Sequence, residues 1–329
     1  MYIIGADCGG TSTKVLVGGP QGELVGRGRG GPGNVAVQGY EGVMKAVREA
    51  VQSALAHSGL TWSDIISRGA FLAAGVSGTS IPGSIERLTE GFLNLGFRKV
   101  SVEIDAKMAL IGALSGDDGA IVISGTGSIA LGRKNGEYSR VGGWGYLLGD
   151  EGSSFWITQQ AIMYLLQSLD GTASRNTELE EALLAHFQIS TVPEILEIVY
   201  RNPIDRGLIG SFSPVIVRLA QAGNHVCQRI VSEAGRELGK LAGAVVEKAG
   251  LKEIPCRVGT CGGVFAAGSI ILDPLQNALS EKAPLAKALP PDFEPVVGAL
   301  LAGYGLVGLS PADVLPSIRK WEKRGGIDE

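Results

Sequence analysis

The 329-residue chain has few of the residues that build metal centres and disulfide frameworks. Its four cysteines, Cys8, Cys227, Cys256 and Cys261, form no CxxC pair, and its three histidines stand far apart. This spacing argues against a zinc site and against a disulfide-stapled fold. We therefore expect buried free thiols in a reducing compartment, so the cytoplasm is the expected location.

Long apolar runs and blocks of positive charge are also lacking. No stretch of about 20 apolar residues occurs, and the start MYIIGADCGG lacks the basic segment of a signal peptide. The net charge is -4 and no basic tract stands out. We expect neither a membrane nor a nucleic acid as partner. The phosphate-loop motif GxxxxGK[ST] is absent, and GRGRGG at 26–31 leads into PGN instead of a helix, which disfavours a dinucleotide site.

Glycine, in contrast, is abundant, with 50 scattered residues. Residues 2–7 are typical of a strand, and a polar turn, DCGGTSTK, separates them from a second strand, VLVGG. The segment AIVISGTGSIALG repeats this pattern from residue 120, which indicates an internal duplication whose second half begins near residue 116. Strands and helices alternate in both halves. The sequence therefore predicts an α/β protein of two domains with a cleft between them.

The remaining elements follow from hydrophobic periodicity. A helix is predicted over 39–58, a buried strand over 70–79, a helix over 81–97, and a strand running into a helix after Asp105. The chain reads as mostly helical over 155–250, then as a strand and a helix start over 256–268. Two further helices are predicted over 295–308 and 311–325.

Two Gly/Thr-rich turns carry the chemistry of phosphate binding. In Asp7–Lys14, small residues leave backbone N–H groups and hydroxyls available to phosphate oxygens, and Lys14 adds positive charge. Asp7 cannot bind phosphate, but it can hold the Mg²⁺ that accompanies it. Ser124–Ser128, SGTGS, repeats the arrangement. A plain tight hairpin explains either turn alone, but the occurrence of two in duplicated settings favours ATP binding.

Three further segments suggest an acceptor site. Asp105 ends a strand, where it serves equally well as a base that accepts a hydroxyl proton or as a helix N-cap. The block GGWGYLLGDEGSSFWI offers Trp144 to cover a sugar ring and Asp150 to accept hydrogen bonds from sugar hydroxyls. A buried tryptophan in a glycine-rich loop is the simpler alternative. Asn34, in GPGN, adds a polar side chain on a loop.

Taken together, six segments resemble the N-acetylglucosamine kinase branch of the BadF/BadG/BcrA/BcrD-type ATPases, within the actin–hexokinase–Hsp70 superfamily. The resemblance covers nearly the whole chain, and the GWG…LGDEGS block is its most specific part. The segments are DCGGTSTK, PGN, EIDAKMALIGAL, ISGTGSIALG, GGWGYLLGDEGSSFWI and GTCGGVFAAG.

The resemblance implies two ribonuclease-H-like domains that bind ATP and Mg²⁺. The implied boundaries are 1–115 plus 311–329 for the first domain and 116–310 for the second. Asp105 would be the catalytic base that activates the sugar 6-hydroxyl, and Asp7 the carboxylate linked to the metal. The nucleotide-binding residues would be Gly10, Thr11, Ser12, Thr13 and Lys14, then Gly125, Thr126, Gly127 and Ser128, with Gly262 and Gly263 at the adenosine. The sugar-binding residues would be Asn34, Asp105, Thr126, Gly143, Trp144 and Asp150.

The acceptor stays open at this point. Glucosamine, N-acetylmuramic acid, glucose and N-acetylmannosamine suit the same side chains as N-acetylglucosamine. An ATPase activator subunit of a dehydratase is a different alternative, but it needs a cysteine that holds an iron–sulfur cluster, and Cys8 lies within the phosphate loop. A sugar-sensing regulator would need a DNA-binding segment before Asp7. Relatives of this kind are often dimers, so a homodimer is a further expectation.

Overall fold

The computed structural model describes residues 1–79, 81–201 and 203–323. The chain forms two compact units. The first contains Met1–Asp117 together with the chain from Pro291 onward, and the second is the continuous segment Asp118–Pro290. Residues 324–329 of the predicted first domain lie outside the described residues, and they include the last two residues of the predicted final helix, 311–325.

The first unit is built on a five-stranded mixed sheet with the strand order β3-β2-β1-β4-β5. Strands β1, β2 and β3 form an antiparallel meander, while β4 and β5 run parallel to β1. Strands β1, β2 and β4 are buried along nearly their whole length, which fits a sheet covered by helices. The strands are β1 Tyr2–Cys8, β2 Thr13–Gly18, β3 Leu24–Gly30, β4 Ala70–Val76 and β5 Lys99–Ile104.

Six helices cover this sheet. Asn34 begins the first of them by accepting the Ala36 N–H, and Thr61 with Asp64 forms a capping box at the second. The helices are α1 Val35–Leu55, α2 Trp62–Ser67, α3 Ser84–Asn94, α4 Asp105–Ala113, α12 Pro295–Gly305 and α13 Pro311–Lys323.

Helix α12 lies in the first unit, whereas the predicted second domain, 116–310, includes it. Glycines explain the placement. A Cβ atom on Gly5 of β1 would lie 2.2 Å from the Leu300 nitrogen, and one on Gly298 would lie 1.9 Å from the Met108 oxygen. The backbone of α12 thus lies directly against β1 and α4, and its apolar side chains complete the core beside Ile3 and Leu16.

The second unit repeats the topology of the first. Its sheet has the order β10-β9-β6-β7-β8, in which β6–β8 form the antiparallel meander and β9 and β10 run parallel to β6. The prediction of an α/β protein with two ribonuclease-H-like domains is therefore confirmed. The strands are β6 Gly119–Ser124, β7 Ser128–Lys134, β8 Glu137–Gly142, β9 Cys256–Cys261 and β10 Ala286–Leu289.

Helices dominate the rest of the second unit, as predicted for 155–250. Gly235 and Gly239 of α10 let its backbone meet that of α11, since a Cβ on Gly235 would lie 2.3 Å from the Ile271 oxygen. The helices are α5 Ser154–Leu169, α6 Thr177–Phe187, α7 Ile195–Val199, α8 Arg206–Gly210, α9 Ser213–Gln221, α10 His225–Lys248 and α11 Ser269–Lys282, with 3₁₀ turns at Val192–Glu194 and Gly263–Ala267.

Several element boundaries differ from the predictions, and α2 was not predicted. Helix α1 starts at Val35, with a non-helical Gly39 (φ 66°) where the predicted start lay. The first polar turn is shorter than expected, since Thr13 is already paired with Cys8 in the sheet. Strand β10 was not predicted, because its short sequence AKAL is flanked by prolines.

No single helix in the described part of the chain is long and apolar enough to cross a membrane. The consecutive segments Thr177–Phe187 and Val192–Val199 reach the required length and composition only as a pair, and they are bent by 46°.

Candidate functional site

Two carboxylates lie together at the carboxyl ends of parallel strands in the first unit. Asp7 is the penultimate residue of β1, and Asp105 follows β5 directly as the first residue of α4. Gly75 of β4 pairs with Asp7 in the sheet, and a Cβ there would lie 3.2 Å from the Asp105 Cα. The same Cβ would lie 2.7 Å from Met108 Cγ, so Gly75 lets the start of α4 pack closely against the sheet.

The environment of these carboxylates disfavours their charged forms. Burial, with the neighbouring charge of Asp105, raises the pKa of Asp7 to about 6, although Lys14 opposes the shift. Burial also raises the pKa of Asp105, whose Oδ1 accepts the Ala106 N–H at 2.8 Å, and this bond favours the ionised form. The N-cap position of α4 is Ile104, without a side-chain cap bond, so the alternative of Asp105 as an N-cap is wrong.

Lys14 is held by a residue that is distant in sequence. Its Nζ lies 2.6 Å from Glu294 Oε2, while Arg27 Nη2 donates to Glu294 Oε1 at 2.9 Å. Glu294 immediately precedes α12, so the C-terminal segment places a carboxylate beside strands β2 and β3. Sequence reasoning missed this residue, because nothing in FEPVV marks a pairing across 280 positions.

The first polar turn is a tight loop at Gly9–Ser12. The Gly9 N–H donates to the Ser12 oxygen at 3.1 Å, and Gly10 and Thr11 are exposed at the tip. Thr13 differs from the expectation, since its side chain is fully buried next to Gly33. Its hydroxyl is therefore not at the loop surface, where a phosphate would need it.

Asn34 lies at the start of α1, close to the end of β4. Its Oδ1 accepts the Ala36 N–H at 3.0 Å, so the side-chain oxygen serves as the helix cap. A Cβ on Gly78 would lie 2.3 Å from this oxygen, which shows how closely the loop after β4 approaches it. The amide nitrogen of Asn34 is the part of the side chain that the cap leaves for a ligand.

The second polar turn, Ser124–Ser128, is braced by the segment that follows the tryptophan block. Only Thr126 is exposed, while the hydroxyls of Ser124 and Ser128 are used internally. The bracing bonds are Ser124 Oγ to Gly152 O at 2.8 Å, Ser128 Oγ to Glu151 O at 2.7 Å, Ser154 N to Gly125 O at 2.8 Å and Ser128 N to Asp150 Oδ1 at 3.3 Å.

Asp150 belongs to this brace. It is buried, it adopts a positive φ of 61°, and a Cβ on Gly127 would lie 2.8 Å from its Oδ2. Burial raises its pKa, while the Ser128 N–H and Arg206 oppose the shift. The sequence analysis assigned Asp150 to the sugar, and the structure places its carboxylate beneath the second turn.

Trp144 lies at the surface instead of being buried. Its side chain is 71% exposed, within a strap at 142–149 in which Gly142, Gly143 and Gly145 all have positive φ. Leu147 and Leu148 of the strap are also exposed. Tyr146 anchors the strap through an edge contact with Phe155, at 5.3 Å between ring centroids. The alternative of a buried tryptophan is therefore wrong.

A pocket of about 430 Å³ adjoins the second turn. It is lined by Gly125 and Thr126 from that turn, by Gly263 from the turn after β9, and by Arg218 and Gln221 from α9. Gly262 brings the two turns together, since a Cβ there would lie 2.1 Å from the Ser124 oxygen. Arg218 and Gln221 belong to no sequence motif and were therefore not predicted.

Neither a disulfide nor a cluster of metal-binding side chains is found among the described residues. All four cysteines are free, and burial raises the pKa of the Cys8 thiol. Within residues 1–79, 81–201 and 203–323, no group of three or more His, Cys, Asp or Glu side chains is arranged to hold a metal ion.

Two ribonuclease-H-like units, each with a Gly/Thr turn at the end of its first hairpin strand, define an actin-like ATPase fold. The chain belongs to the BadF/BadG/BcrA/BcrD ATPase family, whose model matches residues 4–303.

Sequence and structure comparisons place named kinases among its relatives. An N-acetylmuramic acid/N-acetylglucosamine kinase of Clostridium acetobutylicum is 30% identical over 91% of this chain and 97% of its own. A glucosamine kinase of Vibrio cholerae is 28% identical over 72% of this chain and 78% of its own. A crystal structure from Chromobacterium violaceum, of a protein proposed to be an N-acetylglucosamine kinase, has a TM-score of 0.71 at 26% identity and covers 92% of this chain and 98% of its own.

Proposed function

We propose that the protein is an ATP-dependent kinase that phosphorylates the 6-hydroxyl of an amino sugar, with N-acetylglucosamine as the leading acceptor. The observation that carries the proposal is the partly buried Asp105 carboxylate, oriented by the Ala106 N–H beside a second carboxylate and a glycine-rich turn. The names of the curated relatives, which include kinases of N-acetylglucosamine, N-acetylmuramic acid and glucosamine, support the choice of substrate class.

In the proposed mechanism, Asp105 is the general base. Its carboxylate accepts the proton of the sugar hydroxyl as the oxygen attacks the γ-phosphorus and the bond from that phosphorus to the bridging oxygen of ADP breaks. A raised pKa makes the carboxylate a stronger base. The bond from Ala106 fixes the orientation of one oxygen and leaves the other for the hydroxyl.

The Gly/Thr turns would bind the phosphate tail. Gly10, Thr11 and Ser12 offer exposed or half-exposed groups in the first unit, and Thr126 does so in the second. Lys14 would contribute charge from the position in which Glu294 holds it. The hydroxyls of Thr13 and Ser128 are buried, so they would help to shape the turns and would not contact the phosphates directly.

Asp7 fits the role of the carboxylate that faces Mg²⁺. It is a single hard oxygen donor, as expected where phosphates and waters complete the coordination. Its pKa is raised chiefly by burial and then by the charge of Asp105, and a cation beside it would oppose the shift as Lys14 does. When bound, the ion would offset the charge that develops on the transferred phosphoryl group.

The adenine base would occupy the pocket beside the second turn. Its lining includes Val217 and Val264 as apolar surfaces and Gln221 as a polar group. Gly262 and Gly263, predicted from sequence to approach the adenosine, form the turn at its edge.

The sugar would contact Asn34, Gly143, Trp144 and Thr126. Asp150 would accept hydrogen bonds both from the second turn and from the sugar hydroxyls. An exposed tryptophan face suits the apolar side of a pyranose ring, and the Asn34 amide suits a hydroxyl. A cytoplasmic location and a homodimer remain predictions, and the four free thiols are consistent with the former.

An ADP-release assay across N-acetylglucosamine, glucosamine, N-acetylmuramic acid, N-acetylmannosamine and glucose tests the proposal. We expect stimulation over the sugar-free rate by at least one amino sugar, with N-acetylglucosamine strongest. Stimulation by glucose alone would show that the acceptor is not an amino sugar. An absence of stimulation by any sugar would contradict the kinase function and favour an ATPase activator.

A further inference from the structure

One arginine side chain holds the strap on which Trp144 lies. Arg140 belongs to β8, and its Nε donates to the Gly142 oxygen at 3.1 Å. Its Nη2 donates to the Gly143 oxygen. Its guanidinium carbon lies 5.1 Å from the centroid of the Trp144 ring. The same group therefore fixes two consecutive carbonyls and faces the indole.

The strap needs such a support. Gly142, Gly143 and Gly145 have φ values of 72°, 70° and 88°, a conformation that glycine adopts at little cost. Gly142 still pairs with Ile129 at the end of β8, whereas Gly143 and Gly145 lie beyond the strand. Trp144 is largely exposed, so core packing does not fix its ring. A Cβ on Gly143 would lie 3.1 Å from Arg140 Nη2, which indicates that the glycine makes room for the guanidinium.

We infer that Arg140 is a positioning residue for the acceptor sugar. Its planar guanidinium backs one face of the Trp144 indole and leaves the opposite face for the sugar ring, while its two hydrogen bonds fix the backbone at Gly143. This inference rests on the proposed function, because it assigns Trp144 to the sugar. Lysine cannot replace it, since an ammonium lacks the flat surface and the fork that bonds two carbonyls.

The fold at this strand end does not depend on the Arg140 side chain alone. The backbone oxygen of Arg140 accepts a bond from Lys248 Nζ of α10 at 3.0 Å. Strand β8 also pairs with β7 along its length, with Arg140 opposite Leu131. Loss of the guanidinium is therefore expected to loosen the strap while the strand stays in place.

Steady-state kinetics of Arg140→Met and Arg140→Lys test the inference, with Arg236→Met as a matched control. Arg236 is an exposed arginine of α10 that pairs with Glu233, far from the strap in sequence. We expect KM for the sugar to rise about tenfold in both Arg140 variants, which corresponds to loss of a cation–π contact and a charge-assisted bond. KM for ATP is expected to stay unchanged in both, and Arg236→Met is expected to match wild type.

A wild-type KM for the sugar in Arg140→Met would overturn the inference, as would an equal rise in both KM values. A wild-type KM in Arg140→Lys would overturn it too, because charge alone would then suffice. Thermal unfolding checks that each variant is folded, and Arg140→Lys decides the outcome if Arg140→Met is not. If wild type shows no sugar-dependent turnover, the proposed function fails as well, whereas normal turnover with an unaffected Arg140→Met refutes the inference alone.

Discussion

Asp7 and Asp105 illustrate the conflict between stability and reactivity at the scale of single residues. Two carboxylates that share a partly buried position repel each other, and each loses hydration. The carboxylates are therefore expected to destabilise the ligand-free protein at neutral pH. Such a loss of stability is typical of active sites, where ionisable groups with perturbed pKa values cluster.

Replacing Asp7 with Asn should stabilise the ligand-free protein at neutral pH. The pKa of Asp7 rises from 3.8 to about 6 on folding, so the folded state holds the proton more tightly than the unfolded state. As pH rises through this window, the unfolded chain releases its proton first, and stability falls. Asp7→Asn should thus raise the free energy of unfolding at pH 7.5 by roughly 3 kcal/mol.

Urea denaturation at pH 7.5 and at pH 3.5 measures this effect. The gain in Asp7→Asn should nearly vanish at the lower pH, where Asp7 is mostly protonated in both states. Asp64→Asn serves as a control of opposite sign, because hydrogen bonds from Thr61 lower the pKa of Asp64. That variant should be less stable than wild type at pH 7.5. A destabilised Asp7→Asn at neutral pH would contradict the account.

At the scale of elements, the second unit joins three segments around one turn. The turn Ser124–Ser128 is hydrogen-bonded to the segment 150–154 on one side and packs closely against the Gly262 backbone on the other. Small residues are needed because the segments meet backbone to backbone. The turn is therefore preorganised before a phosphate arrives, which lowers the entropic cost of binding.

Gly262→Ala should distort this turn and weaken ATP binding. The new Cβ would meet the Ser124 oxygen at 2.1 Å, and the residue has a φ of 116°, which side chains avoid. We expect a loss of about 1–3 kcal/mol in stability and a raised Kd for ATP. Calorimetric titration with ATP and thermal unfolding measure both.

Gly305→Ala is the matched control, because a Cβ at Gly305 meets nothing within 4 Å. It should bind ATP as wild type does. Unchanged ATP affinity in Gly262→Ala would show that the contact between the two turns does not shape the nucleotide site.

The sequence predicted these elements to different degrees. The two Gly/Thr turns and the repeated meander stand out because glycine and alternating apolar residues leave a local pattern. Thr13, in contrast, was assigned to the phosphate although its side chain is buried, because a polar residue in a turn looks alike in sequence whether it faces in or out. The pairing of Lys14 with Glu294 left no local signal, since it depends on how α12 packs.

At the scale of the whole molecule, the two units differ in continuity. The second is one uninterrupted segment, whereas the first needs the C-terminal helices to cover one face of its sheet. The close approach of α12 to β1 explains why residues 291–310 belong to the first unit. The two sheets therefore share a topology, but only the first unit is built from two separate segments of the chain.

Fragments should reveal this difference. The segment 118–290 contains a complete sheet and core, so it should unfold cooperatively on its own. A chain that ends at residue 290 should retain that transition and lose the one from the first unit, because Ile3 and Leu16 would be exposed. Differential scanning calorimetry with limited proteolysis measures both. A first unit that stays protease-resistant without α12 and α13 would refute this account.

The central claim, that Asp105 is the base for phosphoryl transfer from ATP to a sugar hydroxyl, has a direct test. Wild type and Asp105→Asn are each incubated with ATP, Mg²⁺ and N-acetylglucosamine, and the products are analysed by ³¹P NMR, while ATP affinity is measured by titration. We predict N-acetylglucosamine 6-phosphate from wild type and none from Asp105→Asn, with ATP affinity retained in the variant. Equal product from both proteins, or no sugar phosphate from wild type, would contradict the account.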